Sequence, residues 1–274
     1  MNSYVRLIAV VLAALIAAAP AAAQKFEPQV GQAGKDVIWV PTPDEVVDRM
    51  LTMAQVTAND FVMDLGAGDG KIAIAAAKKY GARALGIEYN PDMVKHAQAN
   101  AQAAGVTGKA SFRQADIFAT DFSQATVITL YLLPALNMKL RPQLLSMRPG
   151  TRVVSHSFTM EDWEADETSS MDGRRAYFWL VPATVMGSWT LDTGRDKVEL
   201  ALEQTFQKVN GTVALGPLQG GLRDAKLRGQ NISFAYVDAS GLRRDFTGRV
   251  NGARMEGSFR DEKGAEGRWS AAKK

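Results

Sequence analysis

The spacing of apolar and polar positions changes character several times along the chain. Leu7 to Ala19 form an unbroken apolar run of about a dozen residues, short of the ~20 that a spanning helix needs. Residues 24–36 are polar and glycine-containing and predict a flexible lead-in. In "WVPTPDEVVDRMLTMAQV", Val46, Val47, Met50, Leu51 and Met53 then fall at helical spacing and define one apolar face. Thr42 reads as the N-cap of that helix, Pro43 as its first residue, and Glu45 completes a T-x-x-E capping box.

From Asn59 the text alternates between short apolar runs and longer amphipathic ones. "FVMDL", "RALGIEY", "ASFRQAD", "ATVITLYLL", "TRVVSHSF" and "RAYFWLVP" read as strands. "KIAIAAAKKY", "NPDMVKHAQANAQAAG" and "PALNMKLRPQLLSM" read as helices, the second with an Asn90-Pro91 entry and a Gly105 exit. Such alternation predicts βαβ units: an α/β fold whose mostly parallel, doubly wound sheet carries helices on both faces. The acidic run "EDWEADETSS" reads as a solvated loop.

Beyond about Val185 the period falls to two. Ile232, Phe234 and Tyr236 share a face, as do Met255 and Phe259, and Asn-Gly at 210–211 and 251–252 and Ser-Gly at 240–241 mark hairpins. This predicts a separate antiparallel β domain over 185–274, a meander or small barrel, following an α/β domain over 37–184. Trp189 and Trp269 suit barrel closure better than recognition.

Composition adds exclusions. Hydrophobic residues make up 46% of the chain and charged ones 22%, with a net charge of +3 and no basic block of the kind nucleic-acid binders carry. There is no cysteine, which removes disulfides, thiolate metal sites and a cysteine nucleophile. Arg6 before the apolar run and Ala21-Ala22-Ala23 after it complete the pattern of a signal peptide over 1–23, which predicts an exported, periplasmic protein. An uncleaved inner-membrane anchor is the alternative, and Arg6 would then leave the domain outside.

The chemistry is concentrated in "VMDLGAGDG". A glycine-rich turn between strand and helix brings backbone N–H groups close to a ligand. Dinucleotide sites favour G-x-G-x-x-G, but here the glycines are Gly66, Gly68 and Gly70, Lys71 stands where the third glycine belongs, and Asp64 opens the turn. Glu88 follows some twenty residues later, the interval that suits a ribose contact.

The D-x-G-x-G-x-G pattern resembles the first motif of class I S-adenosylmethionine (SAM)-dependent methyltransferases. The flanks "WVPTPDEVVDRML", "LYLLPAL", "TRVVSHSF" and "AYFWLVP" are similar to the protein-lysine methyltransferases that modify mitochondrial membrane proteins and their bacterial relatives, over roughly residues 37–182. The resemblance implies SAM as cofactor, cradled by Asp64, Gly66, Ala67, Gly68 and Gly70. It further implies Glu88 on the ribose hydroxyls, Asp116 at the adenine amine, and Ile117 and Tyr89 beside the ring. Thr129, Tyr131 and Pro134, at the end of the fourth strand, stand where the methyl acceptor enters.

No Asx-Pro-Pro-aromatic motif is present, which argues against planar amide or exocyclic amine nitrogens. A protein lysine is the acceptor the resemblance suggests. His156 reads equally as a residue facing the acceptor or as a satisfied structural histidine, and His96 as a surface residue. Because SAM is made in the cytosol, an exported binding or scaffold protein with a relic pocket is the competing reading.

Overall fold

The computed structural model describes residues 26–274. The signal-like segment 1–23 lies outside the described residues. Among those described, no helix is long and apolar enough to cross a membrane.

The first sheet is built from β1 (Phe61–Leu65), β2 (Arg83–Glu88), β3 (Ala110–Gln114), β4 (Val127–Leu130), β5 (Arg152–His156), β6 (Glu167–Met171) and β7 (Arg174–Leu180). Their spatial order is β3-β2-β1-β4-β5-β7-β6. The first five strands are parallel, whereas β7 runs antiparallel to β5 and pairs with β6 in a hairpin. The chain winds outward from β1 through β2 and β3, then returns to β4 on the other side. A crevice therefore opens at the carboxyl ends of β1 and β4, where α/β sheets bind ligands.

Neighbouring strand residues divide between the two faces of the sheet. Val62, Val127, Val154 and Phe178 pack against α1 (Asp44–Met53), α2 (Lys71–Tyr80) and α3 (Pro91–Ala103). Met63, Ile128, Val153 and Trp179 pack against α4 (Pro134–Leu145) and the loops bearing Phe122 and Trp163. Small residues of α2, among them Ala73 and Ala76, let that helix sit close on the sheet.

Two local expectations are corrected. The N-cap of α1 is Pro43, whose carbonyl accepts from Val46 and Val47, and it makes no side-chain cap. Thr42 instead meets His156 through its hydroxyl, and Glu45 pairs with Arg174 rather than closing a box. The acidic run 161–170 is likewise not all loop. Trp163 is fully buried in it, and β6 forms because β7 offers a free edge.

The second sheet comprises β8 (Gly187–Asp192), β9 (Lys197–Thr205), β10 (Lys208–Leu215), β11 (Leu218–Gly221), β12 (Arg223–Arg228), β13 (Asn231–Val237), β14 (Arg243–Asn251), β15 (Arg254–Asp261) and β16 (Glu266–Lys273). The strands run up and down, and β16 returns to pair with β8, so the sheet curls into a nearly closed antiparallel barrel. Its interior is filled by Phe234, Tyr236, Phe246 and Trp269. Gly248, Gly257 and Trp269 lie in one cross-strand row, and a Cβ on Gly248 would sit 2.6 Å from the Trp269 ring. The indole thus fills the space where a side chain on Gly248 would stand, and Trp189 is equally buried, so both tryptophans serve packing.

Candidate cofactor and acceptor site

The turn after β1 owes its shape to three glycines in the left-handed region, with φ of 86° at Gly66, 54° at Gly68 and 82° at Gly70. There an L side chain costs ~1–2 kcal/mol per residue. A Cβ on Gly68 would lie 2.6 Å from the Trp39 indole nitrogen, and one on Gly70 would lie 2.5 Å from the Phe112 ring. Gly66 and Gly68 therefore put bare backbone on the wall of the crevice at the amino end of α2, where the Lys71 amide donates to Asp69 Oδ1 at 3.2 Å.

Glu88, at the end of β2, stands across from this turn. One carboxylate oxygen accepts from the Gly68 amide at 3.0 Å and the other from the Asn90 amide at 2.9 Å. Asn90 in turn caps α3, its side chain accepting from the amides of Asp92 and Met93. The carboxylate is thereby fixed in orientation at the lip of a cavity of about 350 Å³, within the range of small-molecule sites.

Around this cavity the structure gathers Asp64, Gly66, Ala67, Gly68, Glu88, Tyr89, Asp116, Ile117 and Tyr131. Three residues expected at the site do not reach it. Gly70 packs beneath Phe112 and Ala97 and serves the turn. Thr129 is fully buried and donates its hydroxyl to Asp64 at 2.7 Å. Pro134 starts α4 and is not part of the cavity lining.

Asp64 is buried, and burial raises its carboxyl to about 7, with the Thr129 hydrogen bond opposing and the charges of Asp69 and Glu88 adding to the rise. His156 is also buried, and burial together with the charge of Arg174 lowers it to about 4. Its ring lies 3.9 Å from that of Tyr131, which it supports from behind, while Thr42 holds its Nδ1 at 3.2 Å. His156 is thus neutral and structural; Tyr131 is the ring that faces the cavity.

The lead-in expected to be flexible is instead folded against the site. Residues 31–39 form a small hairpin in which Gly31 donates to Trp39 and Trp39 to Gln32. This strap lines one side of the cavity with Trp39 over Gly68 and Lys35 on Asp116 at 2.6 Å. Sequence periodicity could not find it, because so short a segment takes its register from the body it covers. The tryptophan ahead of the Pro-x-Pro of residues 41–43 was its one signal.

These residues fit SAM. The glycine turn admits a ligand at the backbone, the oriented Glu88 carboxylate offers two oxygens to vicinal hydroxyls, and Asp69 and Glu88 place carboxylates on the wall, suited to a cation. When bound there, SAM supplies a methyl group on a sulfonium ion. What the sheet presents at its switch point is the cofactor half of a class I SAM-dependent methyltransferase.

Comparison with known proteins narrows the class. The ANTKMT methyltransferase domain matches residues 64–167. A protein-lysine N-methyltransferase of Saccharolobus islandicus is 45% identical over 138 residues, which cover 50% of this chain and 86% of that protein. The chain belongs to this methyltransferase family. The adenine nucleotide translocase lysine N-methyltransferase of Mus musculus is 31% identical over 47% of this chain, which spans only 56% of the mouse protein. A crystal structure described as an RNA methyltransferase from Salinibacter ruber in complex with S-adenosyl-L-homocysteine (SAH) is 52% identical, with a TM-score of 0.53, covering 53% of this chain and 96% of that one.

Proposed function

We propose that this methyltransferase acts on the side-chain amine of a protein lysine, and does so as an exported protein. One observation carries the acceptor reading. Beyond the glycine turn the cavity continues between Tyr131, Leu132, Leu136 and Phe158, an apolar and aromatic arm. The Tyr131 and Phe158 rings are stacked, 6.2 Å apart. Such an arm suits a four-carbon stem ending in an amine. It also lowers the amine's pKa by desolvation, so that the neutral nucleophile is reached without a fixed general base. Alignment of that amine with the methyl group in a site drained of water is then the main demand on the protein.

The archaeal and mouse relatives are both named for lysine methylation, which supports a protein acceptor. The Salinibacter relative is named for RNA, and it supplies the alternative that an experiment must separate. The full chain, incubated with methyl-labelled SAM and an extract of the cell envelope, is expected to transfer label that survives ribonuclease, is released by protease, and maps by mass spectrometry to lysine. Label removed by ribonuclease would overturn the lysine reading.

Support for export is the segment 1–23, with Arg6, its apolar run and its alanine-rich end. A phosphatase fused after residue 274 should be active only if the domain lies outside the inner membrane; an inactive, full-length fusion sinks this part. The cofactor site has its own check. Replacing Glu88 by Ala is expected to weaken SAH binding by ~1–3 kcal/mol, since ribose hydroxyls lose their partner. Calorimetry reads this directly, and unchanged affinity would move the site elsewhere.

A further inference from the structure

The strap places a single lysine on both groups that the cofactor reading reserves for adenine. Lys35 Nζ donates to Asp116 Oδ2 at 2.6 Å and lies 4.8 Å from the centre of the Tyr89 ring. The other Asp116 oxygen already accepts from the Phe118 amide at 2.9 Å. The ion pair holds Asp116 below, and Lys35 above, their ordinary ranges. Resting on the site assignment above, we propose that Lys35 is a latch: it takes the position of the adenine amine on Asp116, and SAM enters by displacing it and lifting the strap.

The strap is built to open as a unit. Its own hairpin is closed by three backbone hydrogen bonds, Gly31 to Trp39, Trp39 to Gln32, and Gly34 to Val37, each 2.8–2.9 Å. Its grip on the body is slighter. Ile38 is 61% exposed, and Val37 and Trp39 are only partly buried. What holds it down is the Lys35 pair, a contact from Gln32 to the Met93 sulfur at 3.3 Å, and the Trp39 indole over Gly68. Segments with few buried apolar contacts sit at the low-stability end of a fold. At the other end, Pro41 and Pro43 stiffen the joint to α1 and provide a fixed pivot.

The latch has a sign that an ordinary binding residue lacks. A lysine that contacted bound cofactor would strengthen binding, and its loss would weaken it. A lysine that competes for Asp116 opposes binding, and its loss must tighten it. The competing pair is exposed, so the gain is modest, about three- to fivefold. It is also screened by salt, so salt should favour loading of the native protein.

SAH, which lacks the sulfonium charge, is titrated by calorimetry into the full chain and into Lys35→Met and Glu88→Ala at about 20 mM and about 500 mM sodium chloride. The expected result is threefold or more tighter binding to Lys35→Met at low salt, with the native protein approaching it at high salt. Unchanged or weaker binding to Lys35→Met, with Glu88→Ala weakened, overturns the latch and leaves the site assignment standing. Unchanged binding to Glu88→Ala overturns both.

Discussion

Asp64 and His156 are both buried beside the cavity and answer to pH in opposite senses. Asp64 holds its proton up to about 7, against about 3.9 in an unfolded chain, so between those values the folded state binds the extra proton and stability falls as pH rises. His156 stays neutral down to about 4, against about 6.5 unfolded, so between those values the unfolded state binds the extra proton and stability rises with pH. From about pH 4 to about pH 6.5 the two contributions offset one another. Asp64→Asn should therefore uncover a rising limb, and above pH 7 should melt higher than the native protein without ligand. His156→Gln should uncover a falling limb. Melting curves from about pH 4.5 to about pH 8 test this, and three parallel profiles would refute it. The carboxylates were legible in the sequence because local spacing puts Asp64 and Glu88 at strand ends. Lys35 was not, since its partner Asp116 lies 81 residues away and nothing local announces the pairing.

At the scale of elements, most strands with strong apolar content were readable to within a few residues, because one sheet face or both is buried along them. β10 is the exception, since it runs straight through Asn210-Gly211, read as a hairpin turn, and the turn falls at Phe206-Gln207 instead. β6 and β11 were not readable. Their sequences "ETSSM" and "LQGG" carry no alternation, and they exist only because a neighbour offers an edge. The turn into α2 gives a sharper lesson, since its glycines are demanded by two different constraints. Gly70 and Gly105 both hold positive φ, 82° and 71°, but only Gly70 would bring a Cβ onto Phe112; around Gly105 nothing lies within 4 Å. Gly105→Ala should therefore cost only the conformational term, ~1–2 kcal/mol. Gly70→Ala should add an overpacking term for a total of ~2–4 kcal/mol. Urea unfolding of the two variants separates the terms, and equal losses would show that Phe112 yields at no cost.

Across the whole molecule, the barrel and the α/β unit meet away from the cofactor crevice. Gly229 of the β12–β13 turn sits against Gly150 and Leu180, near the amino end of β5, and its carbonyl accepts from Ala183. Phe206, at the β9–β10 turn with φ of 54°, stacks on Trp163 at 6.1 Å and lies under the Arg141 guanidinium. Lys208 and Gln207 tie the same turn to Glu164. No barrel residue among those described lines the cavity. The interface is therefore a structural joint, and among the described residues the cavity is lined by the α/β unit and its strap. Phe206→Ala should lower stability by ~2 kcal/mol, less than a fully buried phenylalanine, because the ring is only partly covered. Deleting residues 185–274 should expose Trp163 and Leu180 and make the α/β unit prone to aggregate. In both proteins the fraction that stays folded should bind SAH within about twofold of the native affinity, since a twofold change is under half a kcal/mol. If Phe206→Ala remained folded yet lost SAH binding, the joint would be a route by which the barrel controls the cofactor site. A ligand of the barrel would then become a regulator of methyl transfer.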